Sequence, residues 1–208
     1  MESANLGVYV VASLALILTP GQDMIYVITR SLAQGRMAGV LSAAGVCTGI
    51  LVHTAIVALG IGALLQASEA LFFVLKLAGA AYLVYLGLKL LLQRDAVALR
   101  AGTATRLPAT RLFAQGVLSN VTNPKIVVFF LAFLPQFVSA SDPHPTRHLV
   151  FLGVLYAAMG FAVKAGVGVV AGSLSERLLR SNAALAWMSR VSGTILVALG
   201  LRLAAAER

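Results

Sequence analysis

Asp23 and Lys125 are ionisable side chains inside apolar stretches, each placed just behind a proline. Asp23 closes the run Thr19-Pro20-Gly21-Gln22-Asp23, and Lys125 closes Thr122-Asn123-Pro124-Lys125. A charge at the centre of a membrane-crossing helix costs about 2.5–3.5 kcal/mol on insertion scales and persists only with a partner or a cavity. One anion and one cation at two such breaks suit a zwitterion. Asp23 could accept an ammonium group or carry a coupling proton, and Lys125 could support a carboxylate. An α-amino acid presents both groups. The two side chains could instead pair with each other as a structural brace.

Proline removes a backbone donor and starts helices better than it continues them. Thr19 suits an N-cap, Pro20 the first helical position, and Gln22 the capping-box spacing. Asn123 and Pro124 repeat the cap-then-proline order. Each resulting half-helix offers unpaired N–H groups and the positive end of its dipole to an anion. The predicted substrate site is therefore Thr19, Pro20, Gly21, Gln22 and Asp23 at one break, with Asn123, Pro124 and Lys125 at the other. Matching interruptions in the two halves of a membrane protein point to a binding site at the bilayer midplane.

Two further groups could join Asp23 in coupling to a proton or sodium ion. His53 can titrate near neutral pH, although the plainer expectation is a buried neutral imidazole bonded to a carbonyl or hydroxyl. Lys164 lies deep in an apolar stretch and must reach water, find an acid or deprotonate. Glu176 is too near the interface to be that acid. Lys76, Lys89, Arg190 and Arg202 lie nearer segment ends, where long side chains snorkel. Cys47 is the only cysteine, which excludes an intramolecular disulfide and a multi-cysteine metal site; it is expected to pack as a small hydrophobe. There is no His-Glu-x-x-His, no Gly-x4-Gly-Lys-Ser/Thr phosphate loop and no Gly-x-Ser-x-Gly. The chain is therefore expected to be no enzyme, to hold no metal or other cofactor, and to draw on an ion gradient or exchange.

The elements that must position these residues follow from composition. Of 208 residues, 60% are hydrophobic and only 11% charged, where a soluble domain carries about 25% charged residues. Mean hydropathy is +0.93. The lipid bilayer is the expected solvent. Six stretches are long enough to cross it, at about 5–28, 38–64, 71–92, 112–138, 148–173 and 183–204. They leave no room for a separate soluble domain, so residues 1–208 are expected to form a single transmembrane domain. The N-terminus lacks the positive start of a cleaved signal, so its apolar run is taken as the first span.

The net charge of +9 is placed as a topology signal. Arg30 and Arg36, then Arg94, Arg100, Arg106 and Arg111, then Arg177 and Arg180 occupy alternate connections. The remaining connections hold mainly Glu69, and Asp142 with Arg147. Positive residues stay inside, which puts those three connections in the cytoplasm and both termini outside it. Without a basic stripe interleaved with aromatics, nucleic acid is not expected as a partner.

The polar stretch at about 94–111 divides pseudo-repeats at about 1–93 and 110–208. Pro124 follows Pro20 by 104 residues, and Lys76-Leu77-Ala78-Gly79 is echoed by Arg190-Val191-Ser192-Gly193 at an offset of 114. Three spans per half force the second half to be inverted. The expected fold is all-α: six transmembrane helices as two inverted three-helix repeats, with the first helix of each half broken. The pairs Gly45/Gly49 and Gly168/Gly172 have small-xxx-small spacing, and both fall toward the cytoplasmic ends of their helices, which are expected to pack together.

With these residues in hand, the chain resembles the LysE/Rht family of bacterial amino-acid exporters. The likeness rests on Leu18-Thr19-Pro20-Gly21-Gln22-Asp23-Met24, on Arg30-Ser31-Leu32-Ala33-Gln34-Gly35-Arg36, and on Lys76-Leu77-Ala78-Gly79-Ala80-Ala81-Tyr82-Leu83-Val84-Tyr85-Leu86-Gly87. It continues with Asn123-Pro124-Lys125 and Phe129-Phe130-Leu131-Ala132-Phe133-Leu134-Pro135-Gln136-Phe137. These stretches lie in the first two-thirds of the chain, and the last third matches mainly in hydropathy. The family commonly has proline where Gln22 stands, a departure that leaves Pro20 and Gly21 in place. The resemblance implies export of amino acids or their derivatives across the inner membrane by cation antiport, leaving the amino acid and the oligomeric state open, a homodimer included. The competing expectations are an exporter of another small solute or a metal cation, which would want clustered carboxylates or thiolates, and a non-transporting membrane scaffold, which would need neither paired breaks nor a buried lysine.

Overall fold

The computed structural model describes residues 3–67, 69–92, 106–138, 142–173 and 182–205. Glu176, Arg94, Arg100, Arg177 and Arg180 lie outside them. The described residues are helical throughout their regular structure, with no strand among them. Helix α1 (Ser3–Leu18) and α2 (Gln22–Gln34) meet at a 52° bend. Helices α3 (Arg36–Ala67) and α4 (Glu69–Leu92) complete the first half. Helix α5 (Ala109–Val121) meets α6 (Pro124–Val128) at a second break, and α6 runs on through a π-turn, Phe129–Phe133, and a 3-10 turn, Leu134–Phe137. This pair is also bent by 52°. Helices α7 (Pro145–Ser173) and α8 (Asn182–Ala205) follow.

Among the described residues, two helical stretches, Arg36–Gly60 and Pro145–Ser173, are long and apolar enough to cross a membrane, and the number rises to four if each bent pair is one span. α4 and α8 cover the third and sixth apolar segments, and of these Leu77–Leu92 forms a shorter apolar helix. The outward faces carry apolar side chains. Leu51, Val52, Ile56 and Leu59 of α3 are exposed, as are Val150, Phe151, Val154 and Val170 of α7. Contiguous exposed apolar faces of this kind suit lipid rather than water.

The long helices α3 and α7 pack on each other, and α4 packs on α8. α2 lies against α3, α5 and α7. Small residues permit these approaches. A Cβ at Gly168 would stand 3.1 Å from the Gly39 Cα, and one at Gly45 would strike the Phe113 carbonyl oxygen at 2.1 Å. The two helix ends do pack together, although the glycine pairs do not face each other. Gly168 and Gly172 of α7 face Gly39 and Arg36 of α3, whereas Gly45 and Gly49 of α3 face α5 at Phe113 and Asn120. Each pair seals a different seam because they occupy different faces of the bundle.

The turn from α2 to α3 is one residue, Gly35, with φ of 87°. That left-handed conformation is open to glycine at little cost. The Gly35 N–H donates to the Ser31 carbonyl at 2.8 Å and ends α2, and the Ser31 hydroxyl donates to the Gly168 carbonyl of α7. The main hydrophobic core includes Tyr9, Phe129, Phe130, Phe133 and Tyr156. Phe129 and Phe130 flank Tyr156 at 5.1 and 5.4 Å between ring centroids, and Phe133, Phe137 and Tyr9 continue the aromatic contacts.

Candidate functional site

Each proline break leaves a specific carbonyl without its helical donor, because proline has no N–H to offer the carbonyl four residues earlier. For Pro20 that carbonyl belongs to Leu16. The Lys125 ammonium donates to it at 3.1 Å and to the Thr19 carbonyl at 3.1 Å. For Pro124 the carbonyl belongs to Asn120. It accepts the Asn123 N–H at 3.0 Å, and His53 Nε2 lies 3.2 Å away. A carbonyl can only accept, so in this contact Nε2 carries the proton. A basic side chain from another element therefore meets the orphaned carbonyl at both breaks.

Asp23 is buried, with 4% of its surface exposed. Its carboxylate accepts from Asn120 Nδ2 at 2.7 Å and from the Ser119 hydroxyl at 3.2 Å, both in the last turn of α5. Gln22 adds a bond from Nε2 to the Ser119 carbonyl at 3.1 Å. The first half thus supplies an anion that the second half binds, and the second half supplies a cation that the first half binds. Both charges suit their helix ends. Asp23 stands in the first turn of α2 and Lys125 faces the last carbonyls of α1, where the dipole favours each sign. The alternative in which Asp23 and Lys125 pair with each other as a brace does not occur in this structure; among the described residues the only ion pair joins Asp142 and His148. Each side chain has nearer partners created by the breaks.

The two breaks are capped differently. Asn123 caps α6 as expected, its Oδ1 accepting the Lys125 N–H at 3.1 Å with Pro124 at the helix start. Thr19 does not cap α2. Its hydroxyl donates back to the Ala15 carbonyl at 2.7 Å and finishes α1, while the residue at the N-cap of α2 is Gly21, with no side-chain cap bond. Pro20 therefore lies between the helices rather than inside the first turn of α2. Serine and threonine hydroxyls commonly bond to the carbonyl four residues back, and here that bond wins over the cap.

Lys164 is buried on α7, with 3% exposed. A Cβ at Gly160, one turn earlier, would lie 3.7 Å from Lys164 Nζ, 3.5 Å from Ile50 Cδ1 and 3.9 Å from Cys47 Sγ. One turn further along α7, a Cβ at Gly168 would lie 3.3 Å from Val27 of α2, itself one turn beyond Asp23. Sequence reasoning passed over Ser119, Asn120 and Tyr156. The first two are hydrogen-bonding residues in the turn before a proline break, a signal that was legible. Tyr156 is marked only by its place one turn before Gly160, and its hydroxyl is buried without a partner, as are Asn120 Oδ1 and Asn123 Nδ2.

The sequence matches the family model for the LysE type translocator over residues 14–207. The chain belongs to the LysE-type translocator family. The match runs through the last third of the chain, beyond the motifs of the first two-thirds. Relatives include a homoserine/homoserine lactone efflux protein of Salmonella typhimurium, 32% identical over 199 residues that cover 96% of this chain and 95% of that protein. A leucine efflux protein of Salmonella choleraesuis is 31% identical over 140 residues, 67% of this chain and 66% of its own. An uncharacterized membrane protein of Vibrio cholerae is 32% identical over 200 residues, 96% of each. No solved structure matches the chain. LysE-type proteins are membrane translocators, and the two Salmonella relatives are efflux proteins for small molecules.

Proposed function

We propose that this chain exports amino acids or their derivatives across the bacterial inner membrane, coupled to the inward flow of a proton or sodium ion. Its six helical segments would form two inverted three-helix repeats in a single domain, with the polar stretch at about 94–111 in the cytoplasm and both termini outside. The observation that carries the proposal is the reciprocal bracing of the two breaks. Asp23 of the first half is bound by Ser119 and Asn120 of the second, and Lys125 of the second by two carbonyls of the first. A substrate ammonium that competes for Asp23, or a proton that neutralises it, loosens one brace and changes how the halves fit. The substrate site is Thr19 to Asp23 with Asn123 to Lys125, Asp23 taking the ammonium or the coupling proton and Lys125 supporting the carboxylate once released from α1. The efflux relatives support export of a small amino-acid-like molecule.

Inverted membrane vesicles test this. Labelled amino acids should accumulate in vesicles bearing the protein, and accumulation should collapse when the ion gradient is dissipated. Vesicles that accumulate none of a broad amino-acid panel would refute the proposal. Orientation has its own test in a Cys47→Ala background. A cysteine at Arg100 should react only from the cytoplasmic side, and one at His144 only from outside.

A further inference from the structure

Among the described residues, the buried cationic or titratable basic side chains are His53 and Lys164, with Lys125 half-buried beside them. His53 and Lys125 are committed to orphaned carbonyls. Lys164 makes no hydrogen bond and no ion pair within the described residues. An ammonium group at this depth with no partner is far from its best environment. The side chain has room because Gly160 lacks a Cβ: Lys164 Nζ, Ile50 Cδ1 and Cys47 Sγ would all lie within 4 Å of one, so the lysine's end shares that space with two residues of α3. α2 packs on α5 and on α7. Its Asp23 is held from the α5 side, which leaves Lys164 as the cation on the α7 side. Tyr156, Gly160 and Lys164 recur every four residues and share one face of α7, and the Tyr156 hydroxyl on that face is also unpartnered.

We propose that Lys164 takes the carboxylate of a zwitterionic α-amino acid whose ammonium is recognised at Asp23. The inference rests on the exporter reading and deepens it, assigning the first contact with the carboxylate to α7 rather than to either break. Lys125 is already bonded to two carbonyls, so a carboxylate reaching it must first break both bonds. Lys164 loses nothing by binding one. The unpartnered Tyr156 hydroxyl is the neutral donor best placed in sequence to assist it. The resulting preference is for substrates with a free carboxylate over the corresponding carboxamides.

Two measurements test the proposal. In wild-type protein Cys47 is the only cysteine and neighbours Lys164, so it reports occupancy without mutation. Alkylation of Cys47 by a small thiol reagent should be slowed by at least one of leucine, homoserine and lysine, and not by the matching carboxamide. Equal protection by acid and carboxamide, or protection by neither, overturns the proposal. In proteoliposomes, Lys164→Gln should raise the half-saturating concentration of the transported amino acid by about 10- to 100-fold, the loss expected of one charge-assisted hydrogen bond, and should leave the carboxamide nearly unchanged. An equal change for both also overturns it. If Lys164→Gln fails to fold, the wild-type cysteine measurement decides alone. Cysteine protection without export in either direction would sink the exporter reading while leaving the carboxylate site standing. Export that ignores both tests would do the reverse.

Discussion

The two breaks share a bend of 52° and a proline, yet they are built differently. The second is self-sufficient. Asn123 caps the new helix, Asn123 N–H returns to the Asn120 carbonyl, and His53 adds a further contact. The first has no side-chain cap, and the carbonyls it exposes are met by one lysine from the other half of the chain. A locally closed break keeps its shape whatever its neighbours do. A break closed from a distance holds its shape only while the halves are apposed. The first break is therefore the one whose geometry can report movement between the halves.

Lys125→Met tests the dependence of the first break on the other half most severely. It keeps the volume but leaves the Leu16 and Thr19 carbonyls buried and unpaired. At about 1–3 kcal/mol for each unsatisfied group, the expected loss is about 2–6 kcal/mol, read by thermal unfolding in detergent alongside vesicle export. A variant as stable as wild type would show that the first break does not depend on the lysine. Asp23→Asn comes next. The amide keeps one acceptor but loses the charge that strengthens the Asn120 and Ser119 bonds, at an expected cost of about 1–2 kcal/mol. Export should vanish or lose its coupling to the ion gradient while the protein still folds. The double change to Asn and Met separates mechanism from bracing, because full export by it would remove both residues from transport.

The asymmetry of capping gives a smaller and cleaner contrast. Asn123→Ala should destabilise by about 1 kcal/mol, the ordinary value of an N-cap. Thr19→Ala should cost clearly less, since its hydroxyl only supplements the end of α1. Equal losses would mean that the two breaks are capped alike. Smallest of all is an effect remote from both breaks. The Asp142 carboxylate accepts the His144 N–H at 2.8 Å, and that bond, with His148 beside it, holds its carboxyl below the usual carboxylate range. A lowered pKa in the folded state means that the stabilisation is fully present above the ordinary carboxylate value, about 3.9, and is lost as the pH falls through the lower folded value. Asp142→Asn should flatten that acid-side decline in unfolding temperature and change little at neutral pH.

The prolines made the breaks legible, since few residues constrain a helix so firmly. Asn123 was legible for the same reason, as its cap is local. Thr19 was misjudged because two local bonds compete for one hydroxyl, and spacing alone does not choose between them. A direct brace between Asp23 and Lys125, the alternative to a functional role, is absent for a local reason. Each proline frees the carbonyl four residues back, and those carbonyls are closer claimants than the opposite charge. The π-turn at Phe129–Phe133 had a faint signal in Pro135, which cannot donate to the carbonyl of Leu131, but nothing in the apolar run foretold its width. The glycine pairs announced close packing without naming the partner, because a missing Cβ carries no address.

Gly35 has a mechanical consequence. A one-residue joint between α2 and α3 has no slack to absorb rotation of either helix, and Ser31 ties the same end of α2 to the backbone of α7 at Gly168. α2 is thus clamped at its far end, while toward its start it is held by the side chains of Gln22, Asp23 and Tyr26 bonded to α5. It behaves as a lever whose pivot is Gly35 and whose free arm carries the aspartate. Lengthening the joint by two or three residues would add play at the pivot, so that motion of the aspartate would no longer be delivered to α3.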